Sequence, residues 1–214
     1  MNTNQWLQII FFFAVLLALV KPLGTYMARV YGDKPFVMEK LLGWLERLIY
    51  RIWGVDPKKE MDWKGYALAM LAFNIMGGIF IYLLMRVQQW LPLNPAGQSA
   101  VPPDLSLNTA ISFITNTNFQ FYGGETTLSY LTQMAGMTVQ NFVCAASGLA
   151  VMIALIRGIA RRETTKIGNF WTDLVRGTLY IVLPSSFLFA LVLIQQGTPQ
   201  TFSNYPTAKL LQPT

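Results

Sequence analysis

Four apolar stretches, each long enough to cross a lipid bilayer as a helix, dominate this 214-residue chain. A spanning helix needs about 20 mostly apolar residues. The first stretch starts near Trp6, is strongly apolar through Val20, and reaches about Ala28 if Lys21 snorkels its amine toward the interface. The second runs from about Tyr66 to Leu84, with Arg86 and Trp90 at its far end. The third runs from about Tyr130 to Ile156 and is bounded by Arg157, Arg161 and Arg162. The fourth runs from about Phe170 to Ile194, and Pro184 is expected to kink it. Only 12% of the residues are charged, against about 25% in soluble domains. The fold class this sets is an all-α membrane protein with transmembrane helices.

A cleaved leader is the competing reading of the first stretch. It wants positive charge before the apolar region and a small-residue cleavage site after it. Met1 to Gln5 carry no basic side chain, and Lys21 and Arg29 come later. The net charge of +6 does not point to nucleic acid, because the basic residues fall in short blocks between apolar runs. With four spans the two sides can be compared. One side holds Lys21, Arg29, Lys34, Lys40, Arg47, Arg51, Lys58, Lys59, Lys64, Arg157, Arg161, Arg162 and Lys166. The other holds Met1 to Gln5, Gln88 to Glu125 and Gln195 to Thr214, with Lys209 as its one basic residue. The positive-inside rule places the basic side in the cytoplasm and the N-terminus outside. Within the first basic segment, Leu41, Leu42, Leu45, Leu48, Ile49 and Ile52 recur at helical spacing, while Lys40, Glu46, Arg47 and Arg51 lie on other faces. That pattern reads as an amphipathic helix along the inner membrane surface.

Enzymatic chemistry within the chain is not expected. Histidine is absent, the single cysteine, Cys144, lies inside an apolar run, and no GxxxxGK or GxGxxG occurs.

The stretch between the second and third spans is different in kind. Pro92, Pro95, Pro102 and Pro103 mark an external loop. Leu105 to Phe113 reads as a helix too short to cross a bilayer, with Ser106 or Asn108 as N-cap. Then follows Thr115-Asn116-Thr117-Asn118-Phe119-Gln120-Phe121-Tyr122-Gly123-Gly124-Glu125. The segment is polar and threonine-rich, yet its aromatics want a packed or interfacial setting. A half-helix that enters the membrane and returns as extended chain accounts for both features. Non-helical backbone survives at that depth only when buried in protein or lining a wet cavity. Carbonyls in a row replace the hydration shell of a potassium ion without fixed negative charge. The helix would aim its negative C-terminal end at the ion. Asn and Thr side chains would brace the strand from behind, and Gly123 and Gly124 would let the chain turn back. A polar external turn with no ion role fits the same residues.

The run Asn116-Thr117-Asn118-Phe119-Gln120, followed by Gly124-Glu125, resembles the first pore loop of the A subunits of Kdp-type potassium-transporting ATPases. The first span, the aromatic-rich Trp44 to Trp53 and the stretch Gly197 to Tyr205 fit as well. The resemblance implies a potassium-channel-like design of membrane–pore–membrane repeats with re-entrant pore loops around a pseudo-fourfold axis. It implies that Thr115, Asn116, Thr117, Asn118 and Gln120 form one strand of a potassium filter. Asn116, Thr117 and Asn118 would hold K⁺ mainly through backbone carbonyls, Gln120 would sit near the entrance, and Phe119, Gly123, Gly124 and Glu125 would flank it. It implies potassium as the transported ligand, no organic cofactor, and assembly in the bacterial plasma membrane. The implied partners are the other chains of a Kdp complex: an ATP-hydrolysing B subunit of the P-type class and small C and F subunits. The Asp-Lys-Thr-Gly signature of the chain that is phosphorylated is absent here. Trk-type transporters share the repeat design, but the Thr-Asn-Thr-Asn-aromatic-Gln run argues against them.

On this reading residues 1–30 are the N-terminal span, 31–62 a cytoplasmic segment, 63–162 one complete repeat, and 163–214 the first helix of the next repeat with an external tail. One strand gives about a quarter of a filter's oxygens. The chain by itself is therefore not expected to form a selective pore, and a truncated or split fragment that only binds partner subunits is the alternative. In the third span, Gln133, Gln140, Asn141, Cys144 and Gly148 lie close to one helical face and are expected to serve helix–helix hydrogen bonding. Asn74, Gly77 and Gly78 are expected to be packing residues, and Arg86 to snorkel to the outer surface.

Overall fold

The computed structural model describes residues 3–32, 35–161 and 164–203. Lys34, Arg162, Tyr205 and Lys209, used above in the reading of topology and resemblance, lie outside the described residues, as do Met1, Asn2, Asp33, Glu163 and the remainder of 204–214. Helices α1 (Thr3–Val30) and α2 (Val37–Trp53) come first, then a short strand β1 (Met61–Asp62) and α3 (Trp63–Val87). A single 3₁₀ turn, Gln88–Trp90, ends α3. Next come α4 (Pro103–Ile114) and the four-residue α5 (Gly124–Thr127). A π-helical segment, Thr132–Thr138, runs into α6 (Val139–Ala160). Strand β2 (Lys166–Gly168) leads to α7 (Phe170–Arg176), a second π-helical segment (Gly177–Val182) and α8 (Leu183–Gln195). Four continuous helical stretches, Asn4–Val30, Trp63–Trp90, Thr132–Ala160 and Phe170–Gln195, are long and apolar enough to cross a membrane. They match the four runs read from the sequence: the first two are longer at both ends, the third is shifted a few residues toward the C-terminus, and the fourth gains one residue.

Small residues let the third and fourth stretches approach closely. Ala146, Ala150 and Ala154 repeat every four residues on α6 and pack with Tyr66, Phe170 and Leu174. In lipid, where apolar side chains gain nothing by leaving solvent, such close backbone approach is what favours helix association. Helix starts carry local caps: the Asp62 carboxylate accepts from Gly65 N–H at 2.9 Å, and the Asn169 side chain accepts from Trp171 and Thr172 N–H.

Pro184 acts on the turn before it. A proline has no N–H for the carbonyl four residues back and crowds it. That carbonyl belongs to Tyr180, and it accepts from the Tyr26 hydroxyl of α1 at 2.7 Å. The Ser185 hydroxyl donates to Ile181 and Val182 carbonyls, at 2.7 and 3.0 Å. The expected disturbance thus takes the form of a π-helical segment ahead of the proline, with the freed acceptors satisfied from α1 and from the side chain that follows.

Both basic segments lie at the same end of the bundle. Met61 pairs with Gly168 and Asp62 with Lys166 in a two-stranded antiparallel ladder. Arg161 binds Glu60 at 2.8 Å, and Asn169 donates to the carbonyls of Asp56 and Lys59. At this end, one ion pair joins Arg157 to Asp173 at 2.5 Å, and another joins Arg176 to Glu46 at 2.9 Å.

Candidate functional site: the polar loop that follows the short helix

Helix α4 begins earlier than the sequence led us to expect. Pro102 is its N-cap and Pro103 its first residue, so two of the N–H groups that a helix start leaves unpaired do not exist. Neither Ser106 nor Asn108 is the cap. Ser106 is buried inside the helix, where its hydroxyl donates to the Val101 carbonyl at 3.2 Å, and Asn108 is on its exposed side. Arg86 does not simply reach outward either. It is partly buried and its guanidinium donates to the same Val101 carbonyl, fixing the approach to α4. Behind the helix, Ile81, Met85, Val101, Ala110, Phe113, Leu128 and Met137 form a buried cluster. A Cβ added at Gly78 would meet Ile114 at 3.2 Å, so Gly78 sets how closely α3 and α4 approach.

The chain leaves α4 through a backbone of alternating hand. Thr115 has φ −90° and ψ 1°, while Asn116 and Asn118 have φ 56° and 54°. Asparagine is among the few non-glycine residues that enter this left-handed region readily. The N–H groups all turn back to the helix end. Thr115 donates to Ile111 O at 3.1 Å, Asn116 to Phe113 O at 3.3 Å, and Thr117 and Asn118 to Ser112 O at 2.9 and 3.2 Å. Phe119 N–H donates to Ser112 Oγ at 2.6 Å. The Ser112 hydroxyl in turn donates to Phe119 O at 3.1 Å. The carbonyl oxygens of Thr115, Asn116, Thr117 and Asn118 accept from no protein donor among the described residues. All four residues are exposed, so these carbonyls are open to the surroundings of the protein, and four consecutive unpaired carbonyls at the negative end of a helix form a neutral oxygen surface suited to a cation.

The candidate side chains are arranged around this backbone. Thr115 Oγ donates to Ile111 O at 2.9 Å and lies 2.8 Å from Thr117 Oγ, and Asn118 Nδ2 reaches Asn116 Oδ1 at 3.4 Å. The first of these contacts reaches back to the end of α4, and the other two stay within the loop. The bracing from behind comes instead from Ser112, which sequence reasoning missed. A serine in the last turn of a short apolar helix is the signal that pointed to it. Gln120 bonds Tyr122 OH at 3.3 Å, and Phe119 and Phe121 pack edge-on at 4.8 Å while exposed.

The two glycines act differently from the expectation. Neither Gly123 nor Gly124 has positive φ. Space is short only at Gly123, where a Cβ would lie 2.9 Å from Thr126 Oγ; one on Gly124 would make ordinary contact with Gln133 Oε1 at 3.5 Å. The Glu125 carboxylate is exposed at the start of α5 and has no ion-pair partner among the described residues.

The third span holds both limbs of the loop. Gln133 Nε2 donates to the carbonyls of Gly124 and Leu128, at 3.2 and 3.1 Å. One long stride down the helix, Gln140 donates to Cys144 Sγ at 3.1 Å, and that thiol donates to Phe113 O at 3.2 Å. A Cβ on Gly77 would fall 2.6 Å from Gln140 Oε1, so Gly77 makes room for this relay. Asn141 and Gly148, expected on the same face, are exposed. Within α6 the buried face is set by Gln140, Cys144, Ala146, Ser147 and Ala150, and at 3.6 residues per turn Asn141 and Gly148 fall beyond its edge.

Gln88, also missed, is fully buried and makes four hydrogen bonds. It donates to Ser99 O and Thr127 O at 2.6 and 2.8 Å, and accepts from Ser129 N and Thr132 Oγ, each at 3.1 Å. One side chain thereby ties together the end of α3, the segment entering α4 and the segment leaving α5. A lone glutamine beside Gln89 carries no periodic signal that could reveal this.

Four long apolar helical stretches, with a short helix and a polar, non-helical loop between the second and third, define a polytopic, all-α membrane protein. The family described as Potassium-transporting ATPase A subunit matches residues 10–214, and the chain belongs to it. It is 58% identical over 213 residues to the "Potassium-transporting ATPase potassium-binding subunit" of Solidesulfovibrio magneticus, covering 100% of this chain and 37% of that protein. It is 57% identical to the protein of the same description from Herpetosiphon aurantiacus, again over 100% of this chain and 37% of the relative. The relative from Methylococcus capsulatus is 57% identical over 214 residues, 36% of its length. The chain thus spans little more than a third of the length of these relatives.

Proposed function

We propose that this chain supplies the first pore-loop repeat of the potassium-binding subunit of an ATP-driven potassium uptake complex. The carbonyl oxygens of Thr115 to Asn118 take part of the coordination shell of a dehydrated potassium ion. The observation that carries this reading is the complete withdrawal of the N–H groups of residues 115–119 to the end of α4, which leaves a row of unpaired, neutral acceptors. A carboxylate in that row would hold the ion too tightly for release, and the row has none. Gln120 and Glu125 lie at the outer mouth.

On this reading the loop is re-entrant from outside, the membrane is the bacterial plasma membrane, the N-terminus lies outside and both basic segments face the cytoplasm. Residues 63–162 are the first repeat and the fourth stretch opens the second. The remaining strands come from the rest of the A subunit. ATP hydrolysis is the task of the P-type partner, the B subunit; the C and F subunits complete the complex, and this chain does no covalent chemistry.

The test uses the complete complex and its K⁺-stimulated ATPase. Asn118→Gly keeps the left-handed backbone and should leave the apparent KM for K⁺ within about twofold. Asn118→Val places a β-branched residue where the strain is of order 1–3 kcal/mol, so KM should rise about 5- to 100-fold. A loss with Asn118→Gly equal to that with Asn118→Val would mean that the amide side chain, not the carbonyl row, carries the effect.

A further inference from the structure

The strand and the helix it leaves meet at one residue. Ser112 is buried, with 6% of its surface exposed. Its carbonyl accepts from both Thr117 and Asn118 N–H, and its hydroxyl accepts from Phe119 N–H while donating to Phe119 O. Three consecutive strand donors therefore end on this single residue. The hydroxyl contributes something the carbonyl cannot. It closes the strand at Phe119 from both sides, N–H and C=O, seven residues along the chain. Phe119 O is thereby paired, unlike the oxygens of 115–118.

We propose that Ser112 is a positioning residue for ion selection: its hydroxyl sets where the carbonyl row stops and how far the strand stands from the pore axis. The proposal rests on the filter reading above. No other side chain among the described residues bonds the backbone of residues 117–119. If the hydroxyl is removed, Phe119 N–H and O lose their partners together. The strand then relaxes at the end where the alternating backbone is already strained by two left-handed asparagines. Neutral carbonyl sites discriminate among alkali ions by oxygen number and placement. A looser strand should therefore cost selectivity before it costs turnover.

The experiment compares Ser112→Ala, Ser112→Thr and Asn118→Val in the complete complex, purified in detergent. ATPase stimulation is titrated with K⁺ and with Rb⁺, and co-purification of all subunits reports assembly. Leaving a polar backbone group unpaired corresponds to a weakening of about 5- to 100-fold. Ser112→Ala should raise the apparent KM for K⁺ by that order and narrow the K⁺/Rb⁺ preference, with maximal rate within about threefold. Ser112→Thr, which keeps the hydroxyl, should restore both quantities to within about threefold. The proposal is overturned if Ser112→Ala leaves KM and ion preference unchanged while Asn118→Val shifts them. It is equally overturned if Ser112→Thr is as impaired as Ser112→Ala, since packing would then be the cause, or if neither Ser112 variant assembles. Should Asn118→Val also leave K⁺ dependence untouched, the filter reading itself fails, which separates the two outcomes.

Discussion

At the residue scale, the charged residues of the bundle's basic end have roles that their sequence positions hide. Glu46 sits on a helix read as lying on a membrane surface, yet it is buried, and its carboxylate accepts from Tyr50 at 2.7 Å, Tyr180 at 2.5 Å and Arg176 at 2.9 Å. Burial acts to raise the Glu46 pKa, and the hydrogen bonds from Tyr180, Tyr50 and Arg176 outweigh it, holding the carboxyl below the ordinary range. Burial beside that carboxylate drives the Tyr50 phenol upward, so it stays a neutral donor. Because the folded-state pKa of Glu46 is depressed, its contribution to stability is present above the unfolded carboxylate pKa and is lost as pH falls through the folded value. Glu46→Ala removes one partner of a buried pair and leaves the Arg176 charge uncompensated, a loss of about 3–5 kcal/mol. Thermal unfolding in detergent should show that loss at neutral pH. The wild-type advantage over Glu46→Ala should shrink as pH is lowered below the carboxylate range.

At the element scale, α2 divides its apolar surface between two neighbours. Met38, Leu42, Leu45 and Ile49 pack against Val30, Phe36, Val175 and Tyr180. Val37, Leu41, Trp44, Leu48 and Ile52 form a second stripe that is exposed on the protein. Lys40, Arg47 and Arg51 are exposed as well. A helix with an unburied apolar stripe and adjacent basic side chains suits the headgroup boundary of a bilayer. The helical period revealed α2 itself, but a stripe that broad could not say which half meets protein. In lipid vesicles, Trp44 fluorescence should be quenched by lipids brominated near the headgroup more than by lipids brominated near the chain ends. This is best read in a variant in which the other tryptophans are phenylalanine. The π-helical segments were less legible still. One precedes Pro184, where the missing N–H gives a cause readable from sequence, and the other, Thr132–Thr138, has no such marker.

At the scale of the whole molecule, three buried clusters fasten the four long helical stretches to one another and to the loop. The loop's core is shared by α3, α4 and the start of the third stretch, so the strand is held by spans on both sides of it in the chain. One loop of this kind occurs among the described residues, and it supplies one short row of oxygens. A dehydrated potassium ion needs oxygens from all around it. Expressed alone in cells that lack other high-affinity potassium uptake, these 214 residues should therefore give no ⁸⁶Rb⁺ uptake above the vector control. Uptake above that level would show that a single loop, or several copies assembling, completes a site.

The spans, the amphipathic helix and the loop with its Asn/Thr run were all determined by sequence alone. Hydropathy over about 20 residues and helical period over a dozen are local properties, and the bilayer rewards them one segment at a time. The roles of Ser112, Gln88, Gln140 and Glu46 were decided only by tertiary structure. Each is a polar side chain whose meaning lies in what it meets in the fold: a loop seven residues on, two loop limbs, the thiol that holds the end of the short helix, an arginine on another span. A polar group in a low-dielectric interior must find its partner wherever packing puts one, and no periodicity in the chain encodes that distance.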